Sequence, residues 1–396
     1  MIERIAIAKH GAMLTEIRKA LGKGYDESVP IMDSIVSYAH ELVNIVGERT
    51  ALFIGLTACI DEKTAPVGRH TAMSIATGMS NEATIPLRIA KRLRVSWKIK
   101  RALNEFSPQL IASFGGYSDM AIFIEWARAN NAIFIPIVVA PLIAPKDPFR
   151  MKLWRRAISG ITRDDVPAVF VRGEFLRDHL IETFGIPAEK IHVYWPKYPR
   201  EFFDSTFENP LDQSRRNILY VGRLSEEKGV LLLPEILEML LEKLDRIKLT
   251  IIGSGPQENR LRTQLEKISQ EGDKWQVFGF MPQKEILPYC IHCDALIVPS
   301  FIEGFGKVAY EGLLCGAPIV ASNLHNIPYL IEDGVDGFLV EPGDSAGFAE
   351  AVGKIIDGEL NSRKSKETGA IAKEREFPSL TEVFTEVLDV LEKSVS

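Results

Sequence analysis

The chain holds 396 residues, 46% of them hydrophobic and 25% charged, with a formal net charge of -6. That is ample material for the cores of two or three ordinary domains, and it excludes a disordered, collagen-like or disulfide-scaffold protein. The longest uncharged apolar run, Ala132 to Pro145, carries three prolines and falls short of the roughly 20 residues a spanning helix needs, so a buried strand and its exit are expected there.

In chain order, the opening MIERIAIAKHG has no h-region or cleavage site and starts a strand, RIAIA, which points to a cytoplasmic protein. An amphipathic helix near Val29 to Val46 follows, then the strand TALFIGL and a basic helix. From Arg88 to Arg101 the basic helix carries seven cations and no acid, interleaved with Leu93, Val95, Trp97 and Ile99. After QLIASF, a helix from Asp119 to Asn130 and AIFIPIVV comes a second basic and apolar segment, PFRMKLWRRAI, and then AVFV. Residues 1–205 carry a net +5 and residues 206–396 a net -11, so the front half is basic. Two readings stay open for the basic segments: amphipathic surface helices with solvated cations, or peripheral attachment to an anionic membrane surface or anionic acceptor.

From Asn217 the alternation is regular. NILYV precedes a helix through Pro234 to Leu244; KLTII precedes Gln257 to Glu271; WQVF precedes Gln283 to Cys293; ALIVP, PIVA and FLV follow, with helices between them and from Ser345 to Ile356. This pattern predicts a parallel, doubly wound sheet. The fold class expected is therefore α/β with two Rossmann-like domains: residues 1–206, residues 207–376, and a terminal helix, 377–396, packing back toward the first domain. The polar stretch Phe203 to Arg216, broken by Asn209-Pro210, is the expected hinge.

Familiar phosphate and metal motifs fail in turn. Gly253-Ser254-Gly255 opens a helix after a strand, but Glu258 stands where a dinucleotide fingerprint needs its third glycine. Gly306-Lys307 lacks the Ser or Thr of a Walker loop, and His40-Glu41 reaches Asn44 where a zinc protease needs histidine. Cys290 and Cys293 have metal or redox spacing without a second pair, so they are expected to be structural; four cysteines in no framework suit a reducing compartment. No metal, cofactor or nucleic-acid partner is expected.

The loop Tyr220 to Val230, YVGRLSEEKGV, offers Arg223 as a bidentate phosphate fork and Lys228 as a mobile point charge, and equally fits solvated cations in a polar loop. The stretch PSFIEGFGKVAYEGLLCGAPIVAS, Pro299 to Ser322, is more telling. It reads as a strand end, a glycine-bearing loop with Gly304 and Gly306, and a helix from Lys307 to Cys315 closed by Gly316. Helix-terminal amides favour an anion there, whereas Glu303 and Glu311, eight positions apart, suit hydrogen bonds from neutral sugar and ribose hydroxyls.

GRLSEEKG, IIGSGPQENRL, VFGFMPQKEI and the 299–322 stretch, in that order, resemble the carboxyl-terminal half of family-four retaining glycosyltransferases of the GT-B fold, over about residues 216 to 345. The resemblance implies two domains facing across a cleft and transfer of a sugar from a nucleotide-diphosphate sugar, most often UDP- or GDP-linked, to a glycan or lipid-linked acceptor. By that resemblance Arg223 and Lys228 hold the diphosphate and Glu303 meets the sugar hydroxyls. Glu311 binds the ribose, and Gly222, Gly253, Gly255, Met281, Gly304, Phe305, Gly306 and Lys307 complete the donor site. A retaining glycosidase using the two glutamates and a catalytically inactive nucleotide-sugar-binding relative are the alternatives. On the acceptor side the chain departs from the family: Lys9-His10-Gly11-Ala12 replaces the usual double-glycine loop, so His10, Gly11, Gly115 and Gly116 are the candidates there.

Overall fold

The computed structural model describes residues 2–10, 42–57, 63–76, 85–114, 117–145, 147–197, 207–360 and 377–395. The chain divides into two compact units, one formed by Met1–Pro196 with Pro378–Ser396 and the other by Lys197–Phe377.

In the first unit the strands are β1 (Arg4–His10), β2 (Thr50–Thr57), β3 (Lys63–Val67), β4 (His70–Ala76), β5 (Leu110–Ser113), β6 (Ile133–Val138), β7 (Val169–Arg172) and β8 (Ile191–Tyr194). They form one sheet in the order β3-β4-β2-β1-β5-β6-β7-β8. Every neighbouring pair is parallel except β3 with β4, which turn back on each other through Gly68. The helices are α1 (Ile85–Phe106), α2 (Tyr117–Ala129), α3 (Pro148–Ile161) and α4 (Glu174–Phe184). Strand periodicity sorts the core: Ile5 and Ile7 of β1 enter one hydrophobic layer, while Ala6 and Ala8 face the other, where Val95, Ile99 and Leu103 of α1 close over them. The terminal helix, which we number α11 (Leu380–Val395), belongs to the first layer. Its Phe384 ring stacks on Phe170 at 5.3 Å. A capping box starts it, with Ser379 Oγ accepting from the Glu382 amide at 3.2 Å and Glu382 accepting from the Ser379 amide at 2.6 Å.

The second unit carries β9 (Arg216–Val221), α5 (Leu233–Lys243), β10 (Ile247–Ile252), α6 (Glu258–Leu265), β11 (Trp275–Phe278) and α7 (Gln283–His292). It continues through β12 (Ala295–Val298), α8 (Lys307–Cys315), β13 (Ile319–Ser322), α9 (Ile327–Leu330), β14 (Gly337–Val340) and α10 (Ser345–Ile356). Its sheet is parallel throughout, ordered β11-β10-β9-β12-β13-β14. From β9 the chain winds outward through β10 and β11, then returns to lay β12 against the other side of β9. The carboxyl ends of β9 and β12 therefore border the point where the winding reverses, the place in such sheets where a ligand crevice opens.

Candidate functional site

The loop after β9 and the loop after β12 are in direct contact at that reversal. Gly229 sits in the left-handed region at φ +65°, and a Cβ on it would lie 1.7 Å from the Pro299 carbonyl oxygen. Only glycine allows the two backbones to come this close. The Glu227 carbonyl also accepts the amides of Phe301 at 2.9 Å and Ile302 at 3.2 Å. Lys228 is thereby delivered to Glu303, and its Nζ lies 2.5 Å from the glutamate Oε1. Ser300 Oγ donates to the same oxygen at 2.8 Å, and Glu303 is only 8% exposed. The pair joins residues 75 positions apart at the switch point.

The backbone of Glu303 is held from the far side by His325. The ring Nδ1 lies 2.6 Å from the Glu303 carbonyl and 3.1 Å from its amide; one nitrogen cannot donate and accept at once, and the shorter contact puts the proton on Nδ1, donating to the carbonyl. Asn326, fully buried, donates to the Phe305 carbonyl at 3.2 Å. Phe305 in turn meets the Tyr310 ring edge-on at 5.3 Å. Gly306 caps α8 at φ +83°, so the helix opens directly from this pinned loop.

One turn into α8, Glu311 accepts from Gln283 Nε2 at 2.8 Å and stands 3.5 Å from Lys307 Nζ. Arg223 is 65% exposed at the rim, with its guanidinium 3.1 Å from Glu227. A hydrogen bond from its own backbone, more than the nearby Arg223 and Lys228 cations, holds the Glu227 carboxyl below the usual range. Tyr220, whose hydroxyl donates to the Arg223 carbonyl at 2.9 Å, has its phenol pushed well above the ordinary value, chiefly by burial and then by the Glu303 charge.

The glycines of the β10 loop are packed rather than open. A Cβ on Gly253 would fall 1.8 Å from the Gly222 carbonyl oxygen, and one on Gly255 would fall 2.4 Å from that of Leu224. The Leu224 amide donates to Ser254 and its carbonyl accepts from Gln257, both at 2.9 Å, which zips this loop to the one bearing Arg223. Met281 is half-buried beyond β11, two residues before Gln283.

Arg223, Lys228, Glu303, Glu311, Lys307 and the donor-side glycines Gly222, Gly253, Gly255, Gly304 and Gly306 thus lie beyond the carboxyl ends of β9, β10 and β12 in the second sheet. On the acceptor side, β1 ends at His10 with its backbone paired to Leu56, while Gly11, Gly115 and Gly116 lie outside the described residues. Sequence reasoning assigned no role to Gln283, Ser300 or His325. Gln283 lies within a quoted motif; His325 sits in a polar turn with no signal of its own. Among the described residues no three His, Cys, Asp or Glu side chains gather to hold a metal ion.

Residues 202–375 match the model of the family described as glycosyl transferases group 1. The matched residues take in nearly the whole second unit, Lys197–Phe377. The amylovoran biosynthesis glycosyltransferase AmsK of Erwinia amylovora is 33% identical over 219 residues, 52% of this chain and 53% of that protein. The chain spans between 36% and 54% of the length of the curated relatives it matches. Among solved structures, sucrose-phosphate synthase from Thermosynechococcus elongatus superposes with a TM-score of 0.73 at 15% identity, covering 99% of each chain. Anabaena HepE in complex with UDP and glucose gives 0.69 at 16% identity, covering 99% of this chain and 100% of HepE. At such identity the likeness speaks for the fold: two parallel-sheet α/β domains of the GT-B class.

Proposed function

We propose that the protein is a retaining glycosyltransferase that moves a sugar from a nucleotide-diphosphate sugar to a glycan or lipid-linked acceptor in cell-surface polysaccharide or glycolipid assembly. The observation that carries the reading is the Lys228–Glu303 pair, an ammonium and a carboxylate 2.5 Å apart at the switch point of the second unit. A diphosphate oxygen accepting from Lys228 and a sugar hydroxyl donating to Glu303 bracket the bond between phosphate and sugar. Arg223, exposed at the rim, closes on the diphosphate, and the first turn of α8 presents amides to the same charge. Glu311, already accepting from Gln283, receives the ribose hydroxyls.

Chemically, the acceptor oxygen bonds to the anomeric carbon as the bond from that carbon to phosphate breaks. The acceptor proton passes to the departing phosphate oxygen on the same face, so configuration is kept and no protein nucleophile is required. Negative charge grows on the phosphate in that step, and fixed cations stabilise it more in the transition state than in the bound donor. The amylovoran relative supports a polysaccharide product, and HepE bound to UDP and glucose gives UDP-sugars first place in a screen.

The test is a melting-temperature screen of the full chain against UDP-, GDP- and ADP-sugars, followed by mass spectrometry and anomeric-proton NMR of the product. One nucleotide series should raise the melting temperature, and its donor should be consumed with retained configuration. No shift with any series would reject the donor site, and a shift without turnover over polysaccharide and lipid-linked acceptors would reject the enzyme in favour of a binding-only relative.

A further inference from the structure

We propose that the α1–α3 face of the first unit docks on an anionic phospholipid bilayer, with the outer stripe of α1 inserted among the lipids. Helix α1 buries Val95, Ile99 and Leu103 against the sheet. It is tied down by the Arg92–Asp119 pair at 3.7 Å and by Trp126 Nε1 donating to Asn104 at 2.6 Å. This anchoring leaves Ile89, Leu93 and Trp97, spaced by one helical turn, facing outward at 41%, 66% and 59% exposure. Three large apolar side chains in one exposed row are costly in water unless something covers them.

The surroundings say what covers them. The stripe borders a cleft shared with Lys100 and Arg156, and that cleft adjoins a second, of about 910 Å³, between α2 and α3. The second cleft is lined by Arg128, Lys152, Arg155, Arg156 and Arg163 against the single carboxylate of Glu125. Some of these cations are already engaged, Arg156 with Glu125 at 2.7 Å and Arg128 with Asp165 at 2.9 Å, yet the balance stays positive. Arg101 lies over the Trp97 ring at 5.6 Å, an aromatic and cationic pairing suited to the headgroup level. A second copy of this face would bring like charges together, and a soluble polyanion would leave the apolar stripe wet. An anionic bilayer satisfies both, with hydrocarbon for the stripe and phosphates for the cations. No described helix is long and apolar enough to cross a membrane, so the attachment is to the surface.

The experiment is co-sedimentation of the full chain with phosphatidylglycerol-containing vesicles and with pure phosphatidylcholine vesicles. The chain should pellet with the first and stay in solution with the second, and added salt should release it. Leu93→Ser with Trp97→Ser, and separately Arg155→Glu with Arg156→Glu, should each cut the partition at least about tenfold. Lys243→Glu with Lys267→Glu, an equal charge change on the second unit, should leave it unchanged. Each variant is checked for a wild-type melting curve, which these exposed positions should retain. Equal binding to both vesicle types, binding to neither, or an oligomer dispersed by Leu93→Ser with Trp97→Ser would overturn the proposal. The readout needs no donor, so it stands or falls separately from the transferase reading.

Discussion

Lys228 and Glu303 each have a neighbour whose position depends on the other, and this makes their removal instructive. Lys228→Ala takes away the ammonium that the proposed leaving diphosphate meets, and should lower the turnover number roughly 10²- to 10³-fold, the usual loss for one preorganised electrostatic group. Glu303→Gln keeps the shape and an acceptor for Ser300, so it should fold normally while losing transfer to a similar degree. Because the two touch, the double variant should be far less impaired than the product of the singles. Rates of donor consumption check this, and near-normal turnover in both single variants would refute the assignment. Neither the Ser300 nor the His325 contact with Glu303 could be read from the sequence. Serine and histidine occur in many polar turns; the local path of the β12 loop gives Ser300 its partner, and the meeting of the β12 and β13 loops gives His325 its own.

A second residue-scale prediction concerns Glu174, nearly buried in the first unit, where Trp195 Nε1 donates to its carboxylate at 3.1 and 3.2 Å. Burial raises its pKa above the ordinary carboxyl value, outweighing the hydrogen bonds that lower it. The folded chain therefore keeps a proton that the unfolded chain has released, and stability falls as pH climbs from the ordinary carboxylate range through the raised value. Glu174→Gln retains an acceptor for Trp195 and carries no charge. Its melting temperature should match wild type at acid pH and exceed it increasingly toward neutral pH; a gap that stays constant with pH would disprove the cause.

At the scale of elements, most of the second unit was legible because each parallel strand is buried on both faces and each helix is punctuated. Lys307–Cys315, closed by Gly316 at φ +74°, is the helix that the residues spell out. Strands β3, β4 and β8 and the extent of α6 differ from expectation, and for β3 and α6 the reason is identifiable. The periodic pattern Gln257 to Glu271 is helical only to Leu265, because the Trp275 indole takes the Ser269 carbonyl at 2.9 Å and draws the following residues into turns. Strand β3 escaped notice because Pro66 lies in it; proline is tolerated there because β3 is the edge strand of its sheet. The contact between the β9 and β12 loops gives an element-scale test. Gly229→Ala must place its Cβ 1.7 Å from the Pro299 oxygen, whereas Gly334→Ala, at φ +77° in the same unit, meets nothing within 4 Å. The second change should cost only the left-handed strain, about 1 kcal/mol, and the first at least about twice that, with loss of donor binding. Denaturant midpoints decide, and equal losses would show that the loop contact is not what requires glycine at 229.

At the scale of the molecule, the first unit is discontinuous in sequence. The chain leaves it after Pro196 and returns at Pro378, where the Trp195 amide donates to the Pro378 carbonyl at 3.0 Å. What α11 contributes on its return can be bounded. Leu380, Val383, Phe384, Val387 and Leu388 are all buried in the same layer as Ile5 and Phe170. At about 1.5–3 kcal/mol for each large side chain taken from water, their removal forfeits roughly 8–15 kcal/mol, comparable with the whole stability of an ordinary domain. The Arg49–Glu392 pair at 3.3 Å is a small addition beside this. A chain ending at Phe377 should therefore lose the cooperative melting of its first unit and bind a hydrophobic dye. The second unit keeps every residue of the Lys228–Glu303 site, and it should still melt as one transition and still be stabilised by the nucleotide that stabilises the full chain. Calorimetry with and without nucleotide separates the two events. If both transitions survived the truncation, α11 would be an appendage and the first unit would be complete without it.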